Sequence, residues 1–319
     1  MFSSQKRLES LREHFRTHNK IREQRQHSSK VHTVRWNCDG RKLASGSNDK
    51  SVVVFSLDRE RLTKDRTFYG HSGTVDQLTW HSKNPDLVAT ASGDKTVRIW
   101  DTRAQKVLSI INTKGENINI TWSSDGHTIA VGNKEDLITF IDTRTNKIRA
   151  EEKFNFEINE IMWNKTSDQM YLTSGQGCVH ILSYPNLEAQ HVLKAHPATC
   201  ICIDFDNTGK YFAIGSADAL TSIWDVDELS CVRVLSRLDW PVRTVSFSHD
   251  SKLLASASED HFIDIAFIET GERVCNIKLE SATFSIAFHP KQYLLAYACD
   301  DKKDESRDAG NFKVYGFSE

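Results

Sequence analysis

The feature that most constrains the fold is a unit of about 42 residues that recurs along the chain. Residues 71–102, HSGTVDQLTWHSKNPDLVATASGDKTVRIWDT, show the unit in full, with three short segments that alternate apolar and polar side chains between turn residues. Alternation with a period of two predicts β-strands. One such unit leaves its sheet edges and apolar faces uncovered, so it requires copies of itself beside it.

Copies of the unit are present. The aromatic residue that ends the first strand recurs at intervals of 44, 42, 41, 42, 42 and 41 residues, at Trp36, Trp80, Trp122, Trp163, Phe205, Phe247 and Phe288. A period of about 40 to 45 residues, with a Gly-His opening and a Trp-Asp ending, is typical of WD repeats, each of which forms one four-stranded blade. We therefore predict an all-β fold, a seven-bladed WD-repeat β-propeller over residues 19–319.

The two ends of the chain are predicted to close this ring. Residues 312–317, FKVYGF, form only the third strand of the last unit, and residues 19–26, NKIREQRQ, precede the first unit. Residues 19–26 are therefore the expected fourth strand of the last blade, because the pairing would cover an open sheet edge.

Residues 1–18 are predicted to form an N-terminal amphipathic helix or arm outside the repeats. Its apolar residues recur at i, i+3 and i+7, at Leu8, Leu11 and Phe15. This apolar side either packs against the propeller or binds a partner, so the three residues are candidate partner-binding residues.

Charge and composition limit the classes of function that the protein can have. The net charge of −2 argues against a surface that binds nucleic acid everywhere, yet the first 30 residues hold eight Lys or Arg and only three acidic residues. This basic segment is either an arm for an acidic partner or RNA, or a solvated helix. The highly charged residues 300–308 are expected to form a solvated loop.

The sequence contains no signal for an enzyme, a cofactor, a metal site or a membrane segment. It has no P-loop, no G-x-G-x-x-G before a helix, no H-E-x-x-H and no G-x-S-x-G. The seven Cys residues include no C-x-x-C pair, which favours reduced thiols, and Cys200 and Cys202 are expected on the same side of one strand. With no long apolar run and no signal peptide, we expect a protein that is not secreted.

Units one, two and five open with a His and carry an Asp in the turn after the second strand. These pairs are His27 with Asp49, His71 with Asp94, and His196 with Asp218. A hydrolase triad uses similar residue types, but it needs one convergent set with an oxyanion hole, whereas these pairs recur on separate repeats. The repetition favours a structural role.

The openings without His are free to vary and are candidate partner-binding loops. In SRLDWPV, Trp240 lies beside a Pro and close to Arg243, a combination that suits an anchor for a partner. The alternative is that Trp240 caps the core between two blades. Phe154 and Phe156, in KFNFEI, are candidates of the same kind.

Similarity to WD repeats implies how the His and Asp residues are used. It implies a hydrogen-bonded set of His71, Thr90, Asp94 and Trp100 in blade two. A second set, with His196, Asp218 and Trp224, is expected to lack its hydroxyl because Ile214 stands in the place of Thr90. In blade one, Phe55 supplies no indole donor.

Four segments resemble one family throughout: residues 75–103 (VDQLTWHSKNPDLVATASGDKTVRIWDTR), 112–142 (NTKGENINITWSSDGHTIAVGNKEDLITFID), 215–229 (GSADALTSIWDVDEL) and 236–266 (SRLDWPVRTVSFSHDSKLLASASEDHFIDIA). They are similar to the THO complex subunit 3 (Tex1) family of WD-repeat propellers. The resemblance implies a non-catalytic scaffold subunit of the nuclear THO and transcription-export complex, which supports mRNA packaging, processing and export.

The same resemblance implies the partners. They are the large helical THO subunits, with an export helicase and an RNA-export adaptor joining through the assembly, and RNA contacted indirectly. Two alternatives remain at this point: a propeller that binds RNA directly, through the basic tail or a charged central face, and a substrate receptor of a ubiquitin ligase.

Overall fold

Each repeat folds into four antiparallel strands, and seven such sheets form a closed β-propeller in the computed structural model. The structure describes residues 2–104, 106–299 and 310–318. The predicted all-β, seven-bladed WD-repeat propeller with a short N-terminal helix is confirmed. The charged segment 300–308 lies outside the described residues.

The chain starts with α1 (Phe2–Thr17) and β1 (Lys20–His27). Blades one to three contain β2 (Val31–Trp36), β3 (Lys42–Ser47), β4 (Val52–Asp58), β5 (Arg61–Phe68), β6 (Val75–Trp80), β7 (Leu87–Ser92), β8 (Thr96–Asp101), β9 (Val107–Asn112), β10 (Asn117–Trp122), β11 (Thr128–Asn133), β12 (Leu137–Asp142) and β13 (Lys147–Lys153). Blades four and five contain β14 (Ile158–Trp163), β15 (Gln169–Ser174), β16 (Cys178–Ser183), β17 (Ala189–Lys194), β18 (Cys200–Phe205), β19 (Tyr211–Ser216), β20 (Thr221–Asp225) and β21 (Cys231–Leu235). Blades six and seven contain β22 (Thr244–Phe247), β23 (Leu253–Ala257), β24 (Phe262–Phe267), β25 (Arg273–Lys278), β26 (Thr283–Phe288), β27 (Leu295–Cys299) and β28 (Gly310–Phe317).

Blade seven is completed by the start of the chain. Strand β1 pairs antiparallel with β28, from Lys20 opposite Phe317 to His27 opposite Gly310. The sheet order is β1-β28-β27-β26, so β1 is the outer strand of the last blade. The ring is thereby closed by both ends of the chain, which covers the edge that β28 would otherwise expose.

The apolar cores lie between neighbouring blades. Between blades one and two, for example, Ala44 and Val54 pack with Leu78, Trp80 and Trp100 in one cluster. The second strands are buried almost throughout, because each blade is covered on both faces. Each blade therefore depends on its neighbours for stability, as in other repeat proteins.

In every blade except the sixth, the first strand carries a β-bulge near its start, which alters the expected alternation. In blade five the bulge falls between Cys200 and Cys202. As a result Cys200 packs into the cluster between blades four and five, and Cys202 into the one between blades five and six. The expectation that both thiols face the same side was wrong, because a bulge inserts one extra residue into the strand.

The apolar side of α1 is buried against blades six and seven. Leu8, Leu11 and Phe15 pack in one cluster with residues of these two blades. The Arg12 guanidinium donates to the carbonyl of Arg273 at 2.9 Å, and the Tyr315 hydroxyl donates to the carbonyl of Phe15 at 3.2 Å. The structure therefore favours the packing alternative, and the partner-binding role suggested for these three residues finds no support because the propeller covers them.

Candidate interaction site on the upper face

Antiparallel strands place the blade-joining loops and the turns between second and third strands on the same face of the disc. We call this the upper face. It comprises the loops 28–30, 69–74, 113–116, 154–157, 195–199, 236–243 and 279–282 and the turns 48–51, 93–95, 134–136, 175–177, 217–220 and 258–261. The rigid sheets hold these loops, and loops held in this way commonly carry function.

In blade two, four side chains form a continuous hydrogen-bonded chain. The Trp100 indole donates to the Thr90 hydroxyl oxygen at 3.0 Å, and the Thr90 hydroxyl lies 2.7 Å from His71 Nε2. His71 Nδ1 lies 2.8 Å from Asp94 Oδ2. This pattern assigns the proton of the neutral ring to Nδ1, so that Thr90 donates to Nε2.

The same set is closed to solvent and to substrate. Only 2% of the surface of Trp100 is exposed, and His71 and Thr90 are buried. The Thr90 hydroxyl is engaged on both sides, so it is not placed to attack a bound molecule. The geometry holds a loop against a sheet, as the repetition of these residues predicts.

Burial and hydrogen bonding fix the protonation states of this set. Burial lowers the pKa of His71, and the hydrogen bond and negative charge of Asp94 oppose this effect. Burial raises the pKa of Asp94, but hydrogen bonds from Thr96, the Ser72 amide and His71 outweigh it and bring the pKa to about 2. The resulting arrangement is a carboxylate that accepts from a neutral imidazole.

Blade five contains a complete set after all. Ser222 on β20 lies 2.7 Å from His196 Nε2 and accepts from the Trp224 indole at 2.7 Å. His196 Nδ1 lies 2.9 Å from Asp218 Oδ2. The expectation that the hydroxyl is missing was wrong, because Ile214 pairs directly with Ser222 across the sheet, and the neighbouring strand supplies the hydroxyl.

In blade one the set stops at the hydroxyl. His27 Nε2 lies 2.8 Å from Ser45 Oγ, and His27 Nδ1 lies 3.0 Å from Asp49 Oδ2. Phe55 occupies the place of Trp100 and is buried without an indole donor.

Blade six uses the Asp position without a His. Asp260 Oδ2 accepts from the amides of Asp239 and Trp240 at 3.0 and 3.2 Å and from the Ser258 hydroxyl at 2.6 Å. Asp94 Oδ2 accepts from the Ser72 amide in the same way at 2.9 Å, so Asp239 corresponds to Ser72. The residue before Asp239, which is Leu238, therefore corresponds to His71. Leu238 is buried in place of the imidazole.

Trp240 itself points away from the core. The exposed fraction of Trp240 is 55%. The side chains of Leu238 and Val242 are buried and hold the loop on either side of it. This exposure disagrees with the alternative that Trp240 caps the core. Arg243 donates to Glu259 at 2.8 Å, and both side chains are part-exposed. The pair links the loop 236–243, the Trp240 loop, to the adjacent turn.

Ion pairs between Asp264 and two arginines hold the start of the Trp240 loop against blade six. The sequence did not predict these ion pairs. Asp264 on β24 is 1% exposed and accepts from Arg237 Nη2 at 2.6 Å and from Arg273 Nε at 2.7 Å. Its place on the strand is that of Ser222 in blade five, and Ala266 stands where Trp224 does. The available signal was an acidic residue in an otherwise apolar strand, FIDIAF, which must find a cation when buried.

Phe154 and Phe156 are half-buried and pack against the core between blades three and four. The Phe156 ring stacks on His180, with ring centroids 3.7 Å apart and planes within 8°. Phe154 lies against Phe156 at 5.4 Å. The two rings cover the end of their blade, so their exposure is smaller than that of Trp240.

Buried polar and acidic side chains of the first strands meet near the centre of the ring. Gln77 of blade two donates to Glu160 of blade four at 2.9 Å. Burial raises the pKa of Glu160 to about 7 and that of Asp204 to about 6, and nearby Arg35 opposes both shifts. Burial also raises the pKa of Asp76 to about 6. Because burial shifts each pKa towards neutrality, these carboxyl groups carry less negative charge at pH 7 than exposed ones.

The described residues include neither a metal site nor a membrane-spanning helix. They contain no group of three or more His, Cys, Asp or Glu side chains that could hold a metal ion. None of their helices has the length and apolarity needed to span a membrane.

The closed ring of four-stranded blades, with buried His, Asp, hydroxyl and Trp sets, defines a WD-repeat β-propeller. Comparison with known proteins identifies the particular family. The family model of the THOC3 β-propeller domain matches residues 27–298. The chain belongs to this family.

Two relatives illustrate how far the similarity extends. THO complex subunit 3 of Arabidopsis thaliana is 48% identical over 299 residues, which is 93% of this chain and 95% of that protein. The WD repeat-containing protein AAC3 of Dictyostelium discoideum is 31% identical over 310 residues. The match covers 89% of this chain and 64% of that protein.

Proposed function

We propose that the chain is a non-catalytic scaffold subunit of the nuclear THO complex and, through it, of the transcription-export assembly that supports mRNA packaging and export. The observation that carries this proposal is the 48% identity to a THO complex subunit 3, which extends over nearly the full length of both chains. The structure adds support, because the His and hydroxyl groups that could suggest catalysis are buried in hydrogen-bonded sets.

The proposed partners are the other THO subunits, the large helical ones first. An export helicase and an RNA-export adaptor join through the assembly and do not need to contact the propeller. The Trp240 loop is the preferred docking element, because exposed Trp residues in rigid surroundings are typical interface anchors. Arg243 lies beside it and is a further candidate. RNA is proposed to be contacted indirectly, through the assembly.

Affinity purification tests this proposal. The tagged full-length chain is recovered from nuclear extract at moderate and at high salt, with and without nuclease, and its partners are identified by mass spectrometry. We expect the large THO subunits to remain bound after nuclease treatment and at both salt concentrations.

Other outcomes would contradict the proposal. Loss of every partner on nuclease treatment would favour direct RNA binding, which predicts an affinity that falls steeply with salt. Recovery of ubiquitin-ligase adaptors in place of THO subunits would favour a substrate receptor.

A further inference from the structure

We propose that Trp240 and the carboxylates beside it bind a basic, arginine-bearing segment of a partner protein. This inference rests on the proposed function, because it specifies the chemistry of the partner segment that meets the Trp240 loop. It starts from the contrast between an exposed indole, 55% of whose surface faces solvent, and a backbone that two amide hydrogen bonds to Asp260 hold in place. An aromatic anchor fixed in this way loses little conformational entropy on binding.

The charges around Trp240 are mainly negative. Asp239 precedes it, and Glu259 and Asp260 lie in the turn that holds the loop. Arg243 is paired with Glu259, and Arg237 with buried Asp264. In the part of the chain that the structure describes, no ion pair neutralises Asp239 or Asp260, which leaves local negative charge that a cationic segment would complement.

The face of the indole is also open to a cation. Elsewhere in the structure, cations of the chain itself lie over aromatic rings, such as Lys30 over Phe284 at 3.6 Å and Arg98 over Trp100 at 5.9 Å. None of the cation–π contacts among the described residues involves Trp240. Arginine suits this site better than lysine, since its planar guanidinium stacks on an indole and donates to carboxylates in the same plane.

The opposite side of the upper face lacks this excess of negative charge. Tyr69, 76% exposed, lies in the loop between blades one and two. The two turns bonded to that loop, 48–51 and 93–95, carry one Lys and one Asp each, so their charges balance. A basic segment therefore gains less from the charges beside Tyr69 than from those beside Trp240, which makes Tyr69→Ala a matched control.

Peptide binding by the full-length chain tests the inference. The probe is a fluorescein-labelled dodecapeptide of alternating Arg and Gly, and the reference peptide replaces each Arg with citrulline, which has a similar shape without the charge. Fluorescence anisotropy measures the Kd for the wild-type chain and for Trp240→Ala, Trp240→Phe, Asp239→Asn and Tyr69→Ala, each checked for an unchanged melting temperature.

We expect Trp240→Ala to weaken binding about tenfold and Asp239→Asn about threefold, while Tyr69→Ala changes it less than twofold. Trp240→Phe keeps an aromatic face and retains most of the affinity, so it tests the site even where the alanine variant folds poorly. The citrulline peptide binds at least about tenfold more weakly than the arginine peptide.

Equal binding by the Trp240→Ala and Tyr69→Ala variants, or equal binding of the two peptides, overturns the inference. Assembly of the wild-type chain with THO subunits is measured on the same preparations. A chain that assembles but does not bind the arginine peptide through Trp240 overturns this inference alone. A chain that binds the peptide through Trp240 but recovers no THO subunit overturns the proposed function alone.

Discussion

Blades two and six carry an Asp at the same position, but the Trp that follows from each arrangement is buried in blade two and exposed in blade six. In blade two, Asp94 holds His71, and the chain of hydrogen bonds ends on Trp100, which is almost completely buried. In blade six, Asp260 holds two backbone amides and the Ser258 hydroxyl, and the loop exposes Trp240. The Asp therefore fixes the loop in both blades, whereas the His determines whether the loop is also hydrogen-bonded to the sheet.

Loss of the His does not leave blade six unsupported. Leu238 fills the vacated volume with an apolar side chain, and Asp264 with Arg237 and Arg273 replaces the neutral hydrogen-bonded set. The blade therefore keeps its stability by another route while the loop gains an exposed aromatic residue. We expect substitutions in blade two to act on stability and substitutions in the Trp240 loop to act on binding.

The largest expected effect is that of Asp94→Ala. It leaves His71 Nδ1 and the Ser72 amide without their acceptor in a buried set, so we expect the free energy of unfolding to fall by about 3 kcal/mol. Asp260→Ala removes bonds from a more exposed loop and is expected to cost about 1 kcal/mol. Chemical denaturation of both variants checks the order, and an equal cost at the two sites would break the comparison.

His71→Leu introduces the residue of blade six into blade two and is expected to cost about 2 kcal/mol at pH 7.5, because Asp94 and Thr90 lose a buried partner. The pKa of folded His71 lies below its usual 6.5, so the unfolded chain binds more protons as the pH falls below 6.5, and the wild type loses stability there.

The leucine variant lacks this loss, so the difference between the two proteins shrinks by up to about 1.4 kcal/mol per pH unit below 6.5. The contribution of Asp94, whose folded pKa is about 2, is lost only as the pH falls from 3.8 towards 2. Melting temperatures at pH 7.5 and 5.5 provide the measurement. A difference that stays constant or grows on acidification would mean that folded His71 is protonated.

The smallest effect within blade two is that of Trp100→Phe, which keeps the aromatic volume but removes the indole donor to Thr90. We expect a loss of about 1 kcal/mol, seen as a lower melting temperature. Phe55 shows that blade one tolerates this arrangement. An unchanged melting temperature would mean that packing alone holds Trp100.

The sequence predicted the features that repeat. Seven aromatic residues at nearly constant spacing were enough to predict the blades, because each blade must bury its faces against the next. The closing strand followed from the same logic, since a three-stranded last blade leaves an open edge.

Features that depend on pairing across strands were harder to predict. Ser222 was missed because the hydroxyl was sought on the second strand, whereas the register places it on the third, directly opposite Ile214. A Ser two residues before Trp224 was the available signal, because residues at i and i+2 of a strand share a face. The bulge before Cys202 gave no such signal, since it extends the strand by one residue without a change in composition.

The candidate site was predictable only in part. The spacing indicated that Trp240 lies in a loop without a His, but both an anchor and a core cap were compatible with the sequence. The 55% exposure of Trp240 decides between them, and it follows from the buried Leu238 and from the hydrogen bonds that Asp260 accepts from the loop amides, which are contacts between separate loops. The apolar side of α1 shows the same limit, since its periodicity did not reveal that blades six and seven cover it.

The most direct test of the division between a structural and a binding Trp compares Trp240→Ala with Trp100→Phe in one experiment. Each tagged variant is purified from nuclear extract, its melting temperature is recorded, and the recovery of large THO subunits is quantified. We predict that the melting temperature of Trp240→Ala stays within about 2 °C of the wild-type value while the recovery of partners falls several-fold, and that Trp100→Phe melts lower and keeps its partners. Full partner recovery by a stably folded Trp240→Ala variant would contradict the account.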